Sequence, residues 1–255
     1  MTLLVLGGTA DARHIANTAI EHKISVIYSV AGLVRVPKLA CSVVVGGFSQ
    51  FGGLEKFIAQ QGVSAILDVT HPYAQRISSK AAIAAKAKCI PYWRFHRPPW
   101  QAEVGQTWHE FSDYPQLVKQ LAQYATVLFS IGQLPSELLV PLKEQANSTH
   151  QKQLVRTAAS AKFDLLPNMQ WLKAIGPFAL EDELMLIKKH NINAIVSKNS
   201  GGSATKAKLQ AAQQLAIPVF MQTRPELPPA DNLFTEQSSC LTFLLQQYNQ
   251  KNTSL

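Results

Sequence analysis

Residues 3–12 read Leu3-Leu4-Val5-Leu6-Gly7-Gly8-Thr9-Ala10-Asp11-Ala12, and this stretch decides the fold. Four apolar residues closed by a turn read as a buried strand. The Ala-rich residues 10–22 that follow place Ile15, Ala16, Ala19 and Ile20 on one helical face. A strand that enters a helix through a glycine turn opens a βαβ unit. Working outward, residues 24–30, 42–45, 65–69 and 90–95 repeat the strand signal, and helical patterns at 54–61 and 73–88 separate them. Buried strands alternating with helices predict a parallel sheet covered on both faces.

At Arg97-Pro98-Pro99-Trp100 the pattern stops, and the chain to about residue 113 reads as irregular. A second series follows, with strands at 126–131, 150–157, 194–197 and 218–222 and helices at 115–124, 180–190, 203–215 and 233–248. The expected architecture is α/β: two Rossmann-like, doubly wound domains with mainly parallel sheets, residues 1–100 and 101–255, and a cleft between them. The chain has 255 residues, 47% hydrophobic and 16% charged, a composition that excludes disorder, collagen and coiled coil. The apolar run at 3–6 falls far short of the roughly 20 residues a membrane span needs. Three widely spaced cysteines encode neither a disulfide framework nor a zinc cluster. A cytoplasmic protein without a membrane partner is expected.

Lys and Arg exceed Asp and Glu by 24 to 16, a net charge of +8. A surplus of this size favours an anionic partner. The cations form no run of five, so a small polyanion fits better than nucleic acid. A soluble basic protein with no charged partner is the plainer alternative.

Ligands of open parallel sheets bind at the carboxyl ends of the strands. Gly7-Gly8-Thr9 stands there, at the start of a helix, where glycines let a backbone approach a pyrophosphate. The third glycine of the G-x-G-x-x-G fingerprint is replaced by Ala12, so a simple tight turn stays open as a reading. NAD sites place an acid about 20 residues further on. Between His22 and Leu54 there is no Asp or Glu; Ser29, Arg35 and Lys38 follow the second strand instead, groups suited to a ribose 2′-phosphate. This points to NADPH over NADH, against the alternative of a solvated basic loop.

Asp68-Val69-Thr70-His71-Pro72-Tyr73 ends the fourth strand, with Pro72 expected in the first turn of the next helix and Thr70 or His71 as its cap. Lys198-Asn199-Ser200-Gly201-Gly202 is a second anion-suited loop before a helix, without P-loop spacing. The short-chain dehydrogenase Tyr/Lys pair, a G-x-S-x-G elbow and H-E-x-x-H are all missing. No metal site is expected.

Taken together, the strand ends carry a resemblance. Gly7-Gly8-Thr9 with Ala12-Arg13, Ser29 with Ala31-Gly32, Val45-Gly46-Gly47-Phe48, Asp68 with Thr70-His71-Pro72-Tyr73-Ala74, Arg97-Pro98-Pro99-Trp100, Gly176-Pro177-Phe178 and Lys198-Asn199-Ser200-Gly201-Gly202 resemble the precorrin-6A reductase family of cobalamin biosynthesis, in order along the chain. The sequence departs from that family at Asp11, usually Glu, and at Leu33, where an Arg commonly follows Ala-Gly; Arg35 would have to take over that contact. The resemblance implies reduction of the C18–C19 double bond of precorrin-6A by a nicotinamide cofactor, NADPH or, in a cobalt-first route, NADH. A non-catalytic dinucleotide-binding protein is the other-class alternative.

The expected cofactor residues are Gly7, Gly8, Thr9, Ser29, Gly32, Arg35, Gly46 and Thr70. The polycarboxylated tetrapyrrole is expected on His71, Tyr73, Lys198, Asn199, Ser200 and Gly201, in the cleft between the domains. His71 and Tyr73 are the catalytic candidates, with binding favoured over acid catalysis for His71. The chain is expected to be a monomer or a homodimer.

Overall fold

A computed structural model describes residues 2–32 and 36–253. The chain folds into two units, Met1–Pro98 with Pro225–Leu255, and Pro99–Arg224.

In the first unit, β1 (Thr2–Leu6), α1 (Ala10–Glu21), β2 (Ser25–Val30), β3 (Ser42–Val45), α2 (Leu54–Gln60), β4 (Ala65–Asp68), α3 (Gln75–Ala87) and β5 (Tyr92–Phe95) follow one another. β1 is almost wholly buried because it lies at the centre of a parallel sheet, between β2 and β4. α1 starts at Thr9, whose Oγ1 accepts the Ala12 N–H at 3.0 Å, and it buries Ala12, Ile15, Ala16 and Ala19, a stripe at helical spacing. Leu3, Val5, Ala12 and Ile15 pack with Cys240 and Leu244 in one core, while Leu4, Leu6, Phe57, Ile58, Ala81 and Ala84 form another. α1 therefore covers one face of the sheet, and α2 and α3 cover the other.

The second unit holds β6 (Trp108–Phe111), α4 (Tyr114–Leu121), β7 (Thr126–Ser130), α5 (Ser136–Thr149), β8 (Lys152–Thr157), β9 (Met169–Lys173), α6 (Leu180–His190), β10 (Ala194–Lys198), α7 (Ala207–Gln214) and β11 (Val219–Gln222). β12 (Asn232–Phe234) and α8 (Gln237–Thr253) then return to the first unit. The strand orders are β12-β5-β4-β1-β2-β3 and β6-β11-β10-β7-β8-β9, every pairing parallel. Each order reverses once, between β1 and β4 and between β7 and β10. Those two points are where a doubly wound sheet leaves a crevice for a ligand.

Several expectations need correction. Residues 225–255 do not belong with the second domain, because β12 pairs with β5 and α8 packs on α1. The stretch from 97 to 113 is not wholly irregular: β6 is an edge strand on β11. The closing helix begins at Gln237, since Asn232–Phe234 is a strand. α5, with Pro141 inside it, and β9 carry no clear sequence signal. α3 starts at Gln75 with Ala74 as an N-cap that makes no side-chain bond, so neither Thr70 nor His71 caps it. Pro72 instead lies in a turn closed by the Ala74 N–H on the His71 carbonyl at 2.7 Å, which delays the helix.

Candidate functional site

The glycine turn after β1 is shaped by Tyr28, fully buried in β2. The Gly7 N–H donates to the Ser29 carbonyl at 2.8 Å, and the Gly8 N–H donates to Tyr28 Oη at 3.0 Å. A Cβ on Gly7 would lie 2.1 Å from Tyr28 Cζ, so only glycine fits there. Thr9 caps α1 and also donates its hydroxyl to the Val69 carbonyl at 2.8 Å, tying the end of β1 to the end of β4. The N–H groups of Gly7 and Gly8 are thus already used. Among the described residues, the N–H groups with no acceptor at the start of α1 are those of Thr9, Ala10 and Asp11. The glycines shape the cradle and α1 supplies its donors. The Asp11 carboxylate at this helix end pairs with Arg97 and accepts from Gln237 Nε2 at 2.7 Å, so its charge is neutralised beside the anion-suited turn.

The turn opens on a cavity of about 940 Å³ within the first unit. Gly7, Gly8, Ser29, Gly46, Thr70, His71 and Tyr73 line it, together with Arg76 and Lys80 of α3. Gly32 lies after β2 against Val45. Arg35 lies outside the described residues. The volume suits a dinucleotide-sized ligand, since small-molecule sites run from roughly 300 to 1,000 Å³.

Beneath Thr70 sits a buried charge network. Asp68 Oδ1 accepts the Thr70 N–H at 3.0 Å and the Thr70 hydroxyl at 2.7 Å. Its Oδ2 accepts the Tyr92 hydroxyl at 2.7 Å, and Tyr92 Oη accepts from Arg94 Nη2 at 2.8 Å. Arg94 Nε lies 3.8 Å from Asp68 Oδ2, a charge contact too long for a hydrogen bond. Burial and then the Asp68 charge push the Tyr92 phenol well above its ordinary range, so it stays a donor. This network fixes the backbone that presents His71. There His71 Nδ1 accepts the Tyr73 N–H at 3.3 Å, which leaves the ring proton on Nε2, and the two rings lie 5.5 Å apart.

At the second reversal point, Ser130 ends β7 and Lys198 ends β10. Burial holds the Lys198 amine below its ordinary range. Asn199 braces the loop against Trp100. Its Oδ1 accepts the Trp100 N–H at 2.7 Å, its Nδ2 donates to the Trp100 carbonyl at 2.9 Å, and its own carbonyl accepts from Arg224 Nε at 2.8 Å. Ser200 Oγ lies 3.4 Å from Thr205 Oγ1, and Gly201 follows in the same loop. Below the loop, Arg156 Nη1 pairs with Glu183 Oε1 at 2.6 Å and Nη2 reaches Ser130 Oγ at 3.1 Å.

Lys208 is buried beside this pair, with Nζ donating to the Thr205 carbonyl at 2.8 Å and lying 4.9 Å from the Trp100 ring centre. Burial, and secondarily the Arg156 charge, lower its pKa from 10.5 to about 7 against the opposing pull of Glu183. The folded chain therefore holds fewer protons on this amine than the unfolded chain between those two values, so stability rises with pH across that window. Below it the folded state carries the full cost of a buried ammonium. Lys208→Met should accordingly raise the unfolding free energy by about 3 kcal/mol near pH 6, with the gain shrinking towards pH 10. Urea unfolding of both proteins at the two pH values checks this; a gain that does not change with pH would contradict it.

Sequence reasoning missed Arg76, Lys80, the Asp68–Tyr92–Arg94 network and the Arg156–Glu183–Lys208 cluster. Arg76 and Lys80 carried a legible signal, two cations one helical turn apart in the helix that follows the fourth strand.

Comparison with known proteins follows the same outline. The family described as "Precorrin-6x reductase CbiJ/CobK" matches residues 2–245. A precorrin-6A reductase of Rhodococcus erythropolis is 35% identical over 245 residues, 95% of this chain and 96% of that protein. A precorrin-6A reductase of Rhodobacter capsulatus is 32% identical over 90% of each chain. A solved structure titled "CobK precorrin-6A reductase" superposes with a TM-score of 0.84 at 30% identity, covering 96% of both chains. That similarity spans both units and both six-stranded sheets, and the chain belongs to the precorrin-6x reductase family.

Proposed function

We propose that this chain reduces precorrin-6A to precorrin-6B at the C18–C19 double bond, with NADPH bound in the cavity of the first unit. One observation carries the reading: at the β1/β4 reversal point Gly7 and Gly8, in the turn that leads into the α1 N-terminus, line a cavity of dinucleotide size. The residues fit that cofactor. The first turn of α1 takes the pyrophosphate, and Ser29 at the end of β2 meets the adenosine ribose. When bound, the nicotinamide supplies the hydride.

The chain's own residues do the rest. His71 offers an Nε2–H donor fixed by the Tyr73 N–H, and Tyr73 presents its hydroxyl and ring. Lys198 and Ser200 of the second unit supply a cation and a hydroxyl for acetate and propionate groups. Burial strengthens the Lys198 contact, because a desolvated ammonium attracts a carboxylate more strongly than a hydrated one. The net charge of +8 draws such a polyanion to the protein as a whole. The metal-free substrate is favoured over its cobalt form: a relative named cobalt-precorrin-6A reductase, from Priestia megaterium, is 27% identical, against 35% for the Rhodococcus protein.

Lys198→Ala tests the substrate half of this reading. Macrocycle affinity should fall roughly 10- to 100-fold, the scale of one lost charge-assisted hydrogen bond. NADPH affinity should be unchanged. Loss of nucleotide binding with macrocycle binding intact would show that the loop serves the other ligand.

A further inference from the structure

Arg76 and Lys80 lie in the early turns of α3, four residues apart, both exposed and both lining the cavity. Neither forms an ion pair among the described residues. Their placement works against the helix. Like charges at i and i+4 repel, and cations near a helix N-terminus oppose its dipole; the first turn of α3 has no acid to offset them. Among the described residues they are also the only Lys or Arg lining the cavity, and no Asp or Glu lines it. The cavity therefore carries a concentrated positive charge that an anionic ligand would relieve.

The shape of the sheet says which anion. The pyrophosphate donors stand on α1, which packs in one core, while α3 packs with α2 in the core on the other face. On that second face the cavity is walled by Gly46, Phe48, Gly53, Leu54 and Ile77, a small and apolar surface suited to an adenine ring. Ser29, at the end of β2, completes the wall where the attached ribose would lie. Two cations beside an adenosine pocket, apart from the pyrophosphate donors, match the one group that separates NADPH from NADH. A phosphate monoester presents up to two charges and three acceptor oxygens, and a guanidinium can bind two of them at once.

We propose that Arg76 and Lys80 bind the 2′-phosphate of NADPH and make α3 the element that selects it over NADH. This rests on the reading of the cavity as a dinucleotide site, and the experiment separates the two ideas. The probes are NADPH, NADH, 2′,5′-ADP and 5′-AMP, titrated calorimetrically into the full chain and into R76Q/K80Q. Glutamine removes both charges, keeps a good helix former, and leaves the buried Ser78, Ala81, Ala84 and Ala85 untouched. Circular dichroism and the unfolding midpoint report whether the variant is folded, and R76Q and K80Q singly provide milder changes.

The expected result is a loss of about 30-fold or more in affinity for NADPH and 2′,5′-ADP, with NADH and 5′-AMP changed by less than about twofold. The salt dependence of NADPH binding should weaken as well. Equal losses for phosphorylated and unphosphorylated ligands would overturn the proposal, because the pair would then serve the shared pyrophosphate. No loss for any ligand would overturn it too. If the unaltered chain binds neither NADPH nor NADH, the dinucleotide reading itself falls, and this inference with it.

Discussion

Asp68→Ala should lower the unfolding free energy by about 3–5 kcal/mol, the usual cost of removing one partner from a buried ion pair. Asp68 is fully buried and satisfies four donors or charges at once. Without it, the Arg94 guanidinium stays in the core with no carboxylate beside it among the described residues, and the Tyr92 hydroxyl loses its acceptor. The Thr70 N–H and hydroxyl lose theirs as well, so the segment that presents His71 and Tyr73 is released. Asp68→Asn should fall between the two proteins, because an amide oxygen still serves Thr70 while its NH₂ cannot accept from Tyr92. Urea unfolding measures the stability. A loss below about 1 kcal/mol for Asp68→Ala would mean that solvent or rearrangement replaces the network.

Gly7→Ala should have the next largest effect. A methyl group there meets the Tyr28 phenol at 2.1 to 2.7 Å, and Tyr28 is fully buried. Overpacking of this kind costs about 1–3 kcal/mol or more. It also moves the turn whose two N–H bonds, to Ser29 and Tyr28, set the position of the α1 N-terminus. Nucleotide affinity should therefore drop more than stability alone explains. Gly8→Ala is the useful comparison. Its φ of 110° is strained for alanine, but a Cβ there meets nothing within 4 Å, so the change strains the backbone without displacing Tyr28. Equal nucleotide affinity in the Gly7→Ala variant and the parent would show that the turn does not position the phosphate site.

Much of the fold was legible because its signals are local. Residues 3–6 are an apolar run closed by glycines, and the periodicity of residues 180–190 and the β-branched run at 42–45 match α6 and β3. What escaped was set at long range. β12 has three residues and exists because β5 offers it an edge; nothing within Asn232–Phe234 announces a strand. β6 is a short edge strand whose residues His109 and Glu110 are exposed, which breaks the apolar pattern. Pro141 obscured α5.

The same division holds for the site. Gly7, Ser29, Gly46, Thr70 and His71 stand at or just beyond the ends of strands, and the structure brings them to one cavity. Asp68 and Arg94, 26 residues apart in sequence, meet only because β4 and β5 pair in a register that sets them side by side. The role of Asn199 was invisible for the same reason, since its partner Trp100 lies 99 residues away.

The fate of one hydride is the most direct test of the proposed reduction. Precorrin-6A incubated anaerobically with this protein and NADPH carrying deuterium at both hydrogens of nicotinamide C4 should yield a reduced macrocycle that carries one deuterium, with nicotinamide oxidised in equal amount. Mass spectrometry of the product reads this out. Nicotinamide oxidation without deuterium in the macrocycle, or no reduction of the macrocycle at all, would contradict it.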